Sequence, residues 1–181
     1  MRGEKFDLLI HFDSNRNKWD GQELLGIVEL QKLLKKSGAE FFIKESEFPH
    51  MVMVEVENDA LETFHFLLKA PAKVISRAMF IESAVATCGN QITDRAVKCI
   101  GKKASPGDTF MVRCYLKKRR YINSCRKLII RIENEIINGF KLQLDHEHPR
   151  WIVHLEFLGE NTGITVLEAG ETPLDGVIGF L

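Results

Sequence analysis

The sequence predicts an α+β protein built from two successive units. Three observations lead to this prediction. Strand and helix patterns follow one another in the order βαββαβ over the first 87 residues, a regularly alternating strand begins at Thr109, and a strand pair lies near the end of the chain. With 181 residues, 45% of them hydrophobic, the chain is long enough to bury a sizeable core.

The first unit begins with a strand and a helix. Residues 6 to 12 (FDLLIHF) have the composition of a buried strand. Asp20 and Glu23 resemble a capping box, which predicts a helix that starts there and runs to about Lys36. Gly38 suits the left-handed residue that commonly follows a helix.

The rest of the first unit adds two strands, a helix and a long strand. Residues 40 to 45 and 51 to 56 predict two strands joined by a turn at Phe48-Pro49-His50. Asp59 is the expected cap of the helix that follows it. Residues 73 to 87, rich in Val, Ile, Ala and Phe, predict one long strand. The resulting order is that of a ferredoxin-like split βαβ motif, and we expect this domain to span residues 1–88.

The second unit, expected at residues 89–181, opens with a helix over residues 90 to about 103. Ser105-Pro106-Gly107-Asp108 then predicts a turn. Residues 109 to 118 alternate between apolar and mixed positions, which is typical of a strand with one buried face. One side carries Phe110, Val112, Cys114 and Leu116, and the other carries Met111, Arg113, Tyr115 and Lys117.

A helix, a short strand and a hairpin complete this unit. Ser124 or Asn123 is expected to cap a helix that runs to about Ile137 and ends at Gly139. Residues 141 to 144 predict a short strand. A hairpin follows, with strands at residues 151–157 and 163–167 and the loop Gly159-Glu160-Asn161-Thr162, before a tail that we interpret as a loop.

The charges are very unevenly distributed along the chain. Residues 95 to 131 contain 12 of the 25 Lys and Arg residues but only one acid, Asp108, so this segment carries a net charge of +11. The formal net charge of the whole chain is zero, so the remaining residues carry −11. This asymmetry indicates a polyanionic partner.

The predicted helix after residue 124 gives the basic segment a geometry. Its apolar residues cluster on one face, whereas Lys127 and Arg131 fall on the other. A helix start offers free N–H groups to phosphate, and Tyr115 and Tyr121 could stack on unpaired bases. A solvated basic loop is the alternative, and Tyr115 could also belong to the core. The candidate RNA-binding residues are Lys102, Lys103, Arg113, Tyr115, Lys117, Lys118, Arg119, Arg120, Tyr121, Arg126, Lys127 and Arg131.

No motif of a common enzyme class is present in the sequence, and we predict no catalytic residue, metal or cofactor. His146-Glu147-His148 could offer two metal ligands but is more simply a polar turn before Pro149. The four cysteines form no CxxC pair, so we interpret them as reduced structural thiols. No apolar run is long enough to cross a bilayer and no signal peptide is evident, which favours a cytoplasmic protein.

At residues 107 to 167 the sequence resembles the THUMP domain, a module of thiouridine synthases, RNA methyltransferases and pseudouridine synthases. The resemblance rests on GDTFMVRCYLKKRRYINSCRKLIIRIENEI followed by LQLDHEHPRWIVHLEFLGENTGITVL. The matching positions are Thr109-Phe110, Val112-Arg113, Ser124, Leu144-Asp145, Pro149 and residues 152 to 156. The hairpin loop, Gly159 to Gly163, looks longer than the family pattern.

The resemblance implies a function as well as a fold. THUMP domains bind tRNA, typically at the acceptor stem and 3′ end, and many follow a ferredoxin-like domain. The 181 residues show none of the catalytic domains that usually accompany them. The chain is therefore similar to THUMP proteins that act as tRNA-binding adaptors for a separate modifying enzyme, such as the RNA cytidine acetyltransferase. We expect tRNA and such an enzyme as partners, without a membrane or a small-molecule cofactor. The alternatives are an enzyme acting on RNA itself and a protein-interaction module that uses an acidic surface.

Overall fold

The structure is a computed structural model that describes residues 4–13, 22–116, 125–169 and 175–176. The described chain forms two compact units. One contains residues 6–81 together with 175–176, and the other contains residues 4–5 together with 82–169. Helices lie beside a five-stranded sheet in each unit, so the predicted α+β fold class is confirmed.

The first unit has the ferredoxin-like order of elements that the sequence predicts. They are β1 (Leu8–Phe12), α1 (Gln22–Ser37), β2 (Phe41–Glu45), β3 (Met51–Val56), α2 (Ala60–Lys69) and β4 (Ile75–Phe80). All strand pairs are antiparallel and the order in the sheet is β4-β1-β3-β2, with Leu8 paired to both Val54 and Phe80. A later two-residue strand, Asp175–Gly176, adds to the edge at β4.

Helix α2 shows why the local sequence was informative. The Asp59 carboxylate accepts a hydrogen bond from the N–H of Glu62 at 2.9 Å, which satisfies a helix N–H that has no intrahelical partner. The helix buries the side chains of Phe64 and Leu67 completely. The predicted cap is thus confirmed, and Gly38 after α1 has the expected left-handed backbone, with φ of 77°.

Removing the Asp59 cap is expected to weaken this unit moderately. Asp59→Ala should lower the free energy of unfolding by about 1 kcal/mol, because an N–H at the start of α2 loses its acceptor. Asp59→Asn keeps an acceptor oxygen and should remain within a few tenths of a kcal/mol of the wild type. Urea denaturation measures both. Equal losses for the two variants would mean that the cap contributes nothing specific.

The second unit places two helices on one face of its sheet. Its elements are β5 (Ser83–Ala86), α3 (Gly89–Ile100), β6 (Thr109–Leu116), α4 (Cys125–Phe140), β7 (Gln143–Leu144), β8 (Trp151–Leu158) and β9 (Asn161–Glu168). The sheet order is β5-β9-β8-β6-β7, in which β6 is parallel to both β7 and β8. The core contains Phe110 and Val112 of β6 together with Ile92 and Ile100 of α3 and Ile132 of α4.

The predicted long strand over residues 73–87 is wrong, because the chain changes sheets within it. Strand β4 pairs with β1 in the first sheet, whereas β5 pairs with β9 in the second, with Ser83 opposite Ile164. Between them, the Glu82 carboxylate accepts the N–H of Val166 at 2.9 Å. The segment mixes apolar residues with Arg77 and Glu82, which a partly buried strand of either sheet can also contain, so the composition does not show the change. The chain therefore passes from the first unit to the second between Ile81 and Glu82, whereas the sequence predicts this limit at residue 88.

Two further boundaries differ from the prediction. Helix α4 continues through Gly139 to Phe140, and the left-handed residue after it is Lys141, with φ of 56°. The Phe140 ring packs where Gly101 has no side chain, which favours a last helical turn that reaches this contact.

The hairpin loop is only Gly159-Glu160, because the residues after it pair as part of β9. The loop is therefore shorter than the loop Gly159 to Thr162 that the sequence predicts. Asp20, Asn123, Ser124 and the tail residues 177–181 lie outside the described residues.

Candidate nucleic-acid interface

Strand β6 turns two candidate residues away from the core. Phe110 is fully buried and Val112 nearly so, and the alternation of the strand therefore points Arg113 and Tyr115 to the opposite face. Arg113 is exposed and the Tyr115 side chain is 49% exposed. The alternative in which Tyr115 belongs to the core is thus excluded.

Tyr115 rests on a buried polar pair. Its ring stacks on that of His154 in β8, with the ring centroids 4.7 Å apart and the planes inclined by 17°. Nε2 of His154 lies 3.3 Å from Oε2 of Glu156, and both residues are buried, at 6% and 5% exposure. One face of the tyrosine ring is therefore covered, whereas much of the residue remains accessible to a planar group such as a base.

Local sequence patterns do not predict this arrangement, because they do not place His154 beside Tyr115. In the parallel β6–β8 pairing, Arg113 lies opposite His154 and Tyr115 lies opposite Glu156. That register depends on how the chain crosses back through α4, which the local alternation of β6 does not reveal. Arg113, Tyr115, His154 and Glu156 alternate with core residues on neighbouring strands, and this alternation was the only available signal.

Helix α4 exposes the predicted basic face. Leu128, Ile132 and Ile136 are buried on one side, whereas Arg126, Lys127 and Arg131 are exposed. Nη1 of Arg131 donates a hydrogen bond to Oδ1 of Asn90 at 2.7 Å. This contact holds the Arg131 guanidinium beside the start of α3.

The end of β6 and the start of α4 are in direct contact. The Cys114 thiol donates towards Sγ of Cys125, and the two sulfur atoms are 2.6 Å apart. Both side chains also pack against the core of this unit. Their chain neighbours are exposed, with Arg113 and Tyr115 on the face of β6 turned away from the core and Arg126 and Lys127 on α4. We call the four exposed residues Arg113, Tyr115, Arg126 and Lys127 the β6–α4 surface.

The thiol of Cys114 stays protonated under ordinary conditions. Burial raises its pKa well above the usual range, and both its hydrogen bond to Cys125 and the nearby Glu156 carboxylate act in the same direction. Cys114 therefore adds no negative charge next to the exposed cations Arg113, Arg126 and Lys127.

Lys102 and Lys103 lie at a different place. They follow α3 and precede β6, and Lys103 contacts β9, which lies two strands away from β6 in the sheet. Lys103 forms an ion pair with Glu82, and its Nζ donates to the carbonyl oxygen of Val166 at 2.7 Å. Lys103 thus ties the end of α3 to the sheet, whereas Lys102 is exposed.

The remaining candidate RNA-binding residues lie in the sequence between the end of β6 and the start of α4. Lys117, Lys118, Arg119, Arg120 and Tyr121 lie outside the described residues. They belong to the segment that joins the end of β6 to the start of α4, and so the β6–α4 surface borders it at both ends. Their role in binding RNA stays a prediction.

A second polar cluster fastens the start of β6 to β8. Asp108 accepts hydrogen bonds from the Ser105 N–H, from Nη1 of Arg150 at 2.8 Å and from Nε1 of Trp151 at 2.9 Å. Arg150 also contacts Glu168 of β9 at 3.1 Å. The Ser105 N–H and the Trp151 indole are the main reasons why the pKa of Asp108 is lowered. The sequence analysis recognised the turn at Asp108 but not this cluster.

The contribution of Asp108 to stability is expected to depend on pH. Because its pKa is lowered in the folded protein, the charged form stabilises the fold above the ordinary pKa, and this stabilisation is lost as the pH falls through the folded value. Asp108→Asn should therefore lower Tm at neutral pH, and the difference from the wild type should shrink below about pH 4. Asp94→Asn, at an exposed position of α3, is the matched control and should cause little change at either pH. A Tm difference for Asp108→Asn that is constant across the acid range would contradict the assignment.

The segment at His146 and His148 forms a turn. Oδ1 of Asp145 accepts the N–H groups of Glu147 and His148, each at 2.9 Å, and these two bonds lower the pKa of Asp145. Within the described ranges, no three His, Cys, Asp or Glu side chains are placed to share a metal ion. None of the described helices combines the length and apolar character needed to cross a bilayer.

The fold is shared with solved structures at low sequence identity. PH1313 from Pyrococcus horikoshii matches 93% of this chain with a TM-score of 0.71 and 13% identity, over 55% of its own length. A 4-thiouridine synthetase, solved as an RNA complex with bound ATP, matches 90% with a TM-score of 0.67 and 13% identity, over 41% of its length. TrmN from Thermus thermophilus matches 92% with a TM-score of 0.55 and 12% identity, over 46% of its length.

These similarities define a class of fold. The chain spans about half the length of the proteins that it matches, and each match covers at least 90% of this chain. No family model and no curated protein matches the sequence.

Proposed function

We propose that this chain is a tRNA-binding protein whose second unit is a THUMP domain. The observation that carries the proposal is the β6–α4 surface, which has cations on two elements and an exposed, stacked tyrosine and which flanks the basic run at residues 117–120 in sequence. Cations bind phosphates irrespective of sequence, and an exposed aromatic ring stacks on an unpaired base. The shared fold supports the proposal, because one of the matching structures is an RNA complex.

The combination of contacts favours the acceptor end of tRNA. This end joins a duplex, whose phosphates suit Arg113, Arg126 and Lys127, to unpaired 3′ nucleotides that suit Tyr115. The sequence resemblance to THUMP domains implies the same target. A hairpin RNA with no unpaired end would use the cations alone and should bind more weakly.

Tyr115 is expected to distinguish these two kinds of RNA. Stacking on one base is worth about 1–3 kcal/mol, so Tyr115→Ala should weaken the binding of intact tRNA by roughly 5- to 150-fold. The same variant should have little effect on a tRNA from which the unpaired 3′ nucleotides have been removed. Tyr115→Phe keeps the ring and is the matched control. Filter binding measures the six affinities of the wild type and the two variants for intact and shortened tRNA, and equal losses of Tyr115→Ala for the two RNAs would exclude a stacking role.

We further propose that the chain presents tRNA to a separate modifying enzyme in the cytoplasm, as expected for an adaptor of the RNA cytidine acetyltransferase type. Outside the basic segment the chain carries 24 acids and 13 bases, a charge balance that suits a basic protein partner. In this proposal the chain itself catalyses no reaction. Its basic segment binds tRNA, and its acidic remainder binds the modifying enzyme.

Reconstitution tests the adaptor role separately from RNA binding. Mass spectrometry of nucleosides should show modification only when tRNA, a donor, the enzyme and this chain are all present. Modification by the purified chain and a donor alone would establish the alternative, an enzyme in its own right. Enzyme activity that is independent of the chain, combined with a complex that survives nuclease treatment, would favour a protein-interaction module instead.

A further inference from the structure

We propose that Cys114 and Cys125 form a reversible disulfide by exchange with a low-molecular-weight disulfide such as glutathione disulfide. The two side chains come from different elements, the end of β6 and the first residue of α4, and their sulfur atoms lie 2.6 Å apart. An S–S bond of about 2.05 Å thus requires a movement of only about half an ångström. The inference does not depend on RNA binding.

The environment of Cys114 and Cys125 differs from that of Cys88 and Cys99. Cys88 is exposed and Cys99 is buried, whereas Cys114 and Cys125 are both half-buried. Cys114 lies on the core face of β6 and Cys125 on the apolar side of α4, so packing of the helix on the sheet brings the two sulfur atoms together. The alternation of β6 predicts the face of Cys114, but local patterns do not pair it with Cys125.

The surroundings of Cys114 indicate the order of the exchange. Burial and the nearby Glu156 carboxylate raise the pKa of Cys114 and disfavour its thiolate, so Cys125 is the expected first nucleophile at the 2.6 Å contact. The Cys125 thiolate attacks one sulfur of glutathione disulfide, forms a mixed disulfide and releases one glutathione. Cys114 then loses its proton and attacks the Cys125 sulfur, which releases the second glutathione. Two protein thiols are oxidised and one small disulfide is reduced.

The disulfide closes a covalent ring, and the basic run is part of that ring. Residues 114 to 125 form the ring, and by sequence it contains four consecutive bases, Lys117 to Arg120. Arg113 and Tyr115 on β6 become covalently tied to Arg126 and Lys127 on α4. Closing a ring restricts the unfolded chain, so the oxidised protein should have a higher Tm than the reduced protein.

Peptide mapping of the full chain tests the proposal. The protein is incubated with defined ratios of glutathione to glutathione disulfide, quenched with acid, alkylated and cleaved with trypsin. We expect the peptides of residues 114–117 (CYLK) and 121–126 (YINSCR) to appear as one linked species, lighter by two hydrogen atoms than the sum of the two. Dithiothreitol should separate them and should also reverse the rise in Tm.

Exposed Cys88 serves as the internal reference for oxidation. At a ratio where Cys88 already carries glutathione, recovery of Cys114 and Cys125 as free thiols, or as separate glutathione adducts, would overturn the proposal. Cys88→Ser should leave the linked species unchanged. Cys114→Ser should stop at a glutathione adduct on Cys125, and the mapping of the wild type stands even if this variant folds poorly. No RNA is present in the assay, so its failure would leave the proposed RNA binding untouched.

Discussion

Replacement of Arg113, Arg126 and Lys127 by glutamine should weaken tRNA binding and make it less sensitive to salt. Each phosphate contact releases condensed counterions, so the logarithm of the binding constant falls with the logarithm of salt concentration by about 0.9 for every contact to a duplex. Loss of three contacts should therefore make the slope shallower by about 2 to 3. The affinity at low salt should fall at least tenfold, roughly uniformly across tRNA sequences.

A matched variant separates this effect from a change in net charge. Lys32, Lys35 and Lys36 are exposed on α1 in the other unit, so their triple replacement by glutamine removes the same charge. We expect this control to keep nearly the full salt slope. Equal slopes for the two triple variants would show that the protein binds tRNA through its overall charge rather than through the β6–α4 surface.

Phe110→Ala should destabilise the second unit by about 3–5 kcal/mol, because it removes a fully buried ring and leaves a cavity. Phe110 lies at the start of β6 and pairs in register with Trp151 of β8. Loss of the ring therefore loosens the strand that carries Arg113 and Tyr115 on its other face, and tRNA binding should decline together with stability.

Tryptophan fluorescence during urea denaturation measures this cost. In a Trp19→Phe background Trp151 is the sole tryptophan, so its signal follows the second unit. Ile130→Ala on α4 is the matched control in the same unit, since Ile130 is 46% exposed, and it should cost about 0.5 kcal/mol or less. A loss below about 1 kcal/mol for Phe110→Ala would mean that this ring is not an anchor of β6.

Elements with strong local patterns could be predicted from the sequence. The alternation over β6 correctly separated Phe110 and Val112 from Arg113, and the helical period correctly separated Ile132 from Lys127. Both patterns follow from the geometry of one element alone. The order βαββαβ then led to the ferredoxin-like sheet, which the strand pairing confirms.

Features that depend on pairing between distant segments could not be predicted in the same way. The change of sheet at Glu82 lies within a segment rich in apolar residues, and the contacts of Glu82 with Val166 in β9 and with Lys103 mark it. The support of Tyr115 by His154 requires the β6–β8 register, and the Cys114–Cys125 contact requires the packing of α4 on β6. Local periodicity determines which face a residue occupies but not which residue lies next to it.

Crosslinking of the intact chain to tRNA tests the proposed interface most directly. After irradiation with ultraviolet light and digestion, we expect crosslinked nucleotides on peptides from residues 109 to 131, with Tyr115 joined to an unpaired nucleotide at the 3′ end. Tyr115→Phe should keep this crosslink and Tyr115→Ala should lose it. Crosslinks confined to residues 6–81, or no crosslink at a salt concentration low enough to favour binding, would contradict tRNA recognition by the β6–α4 surface.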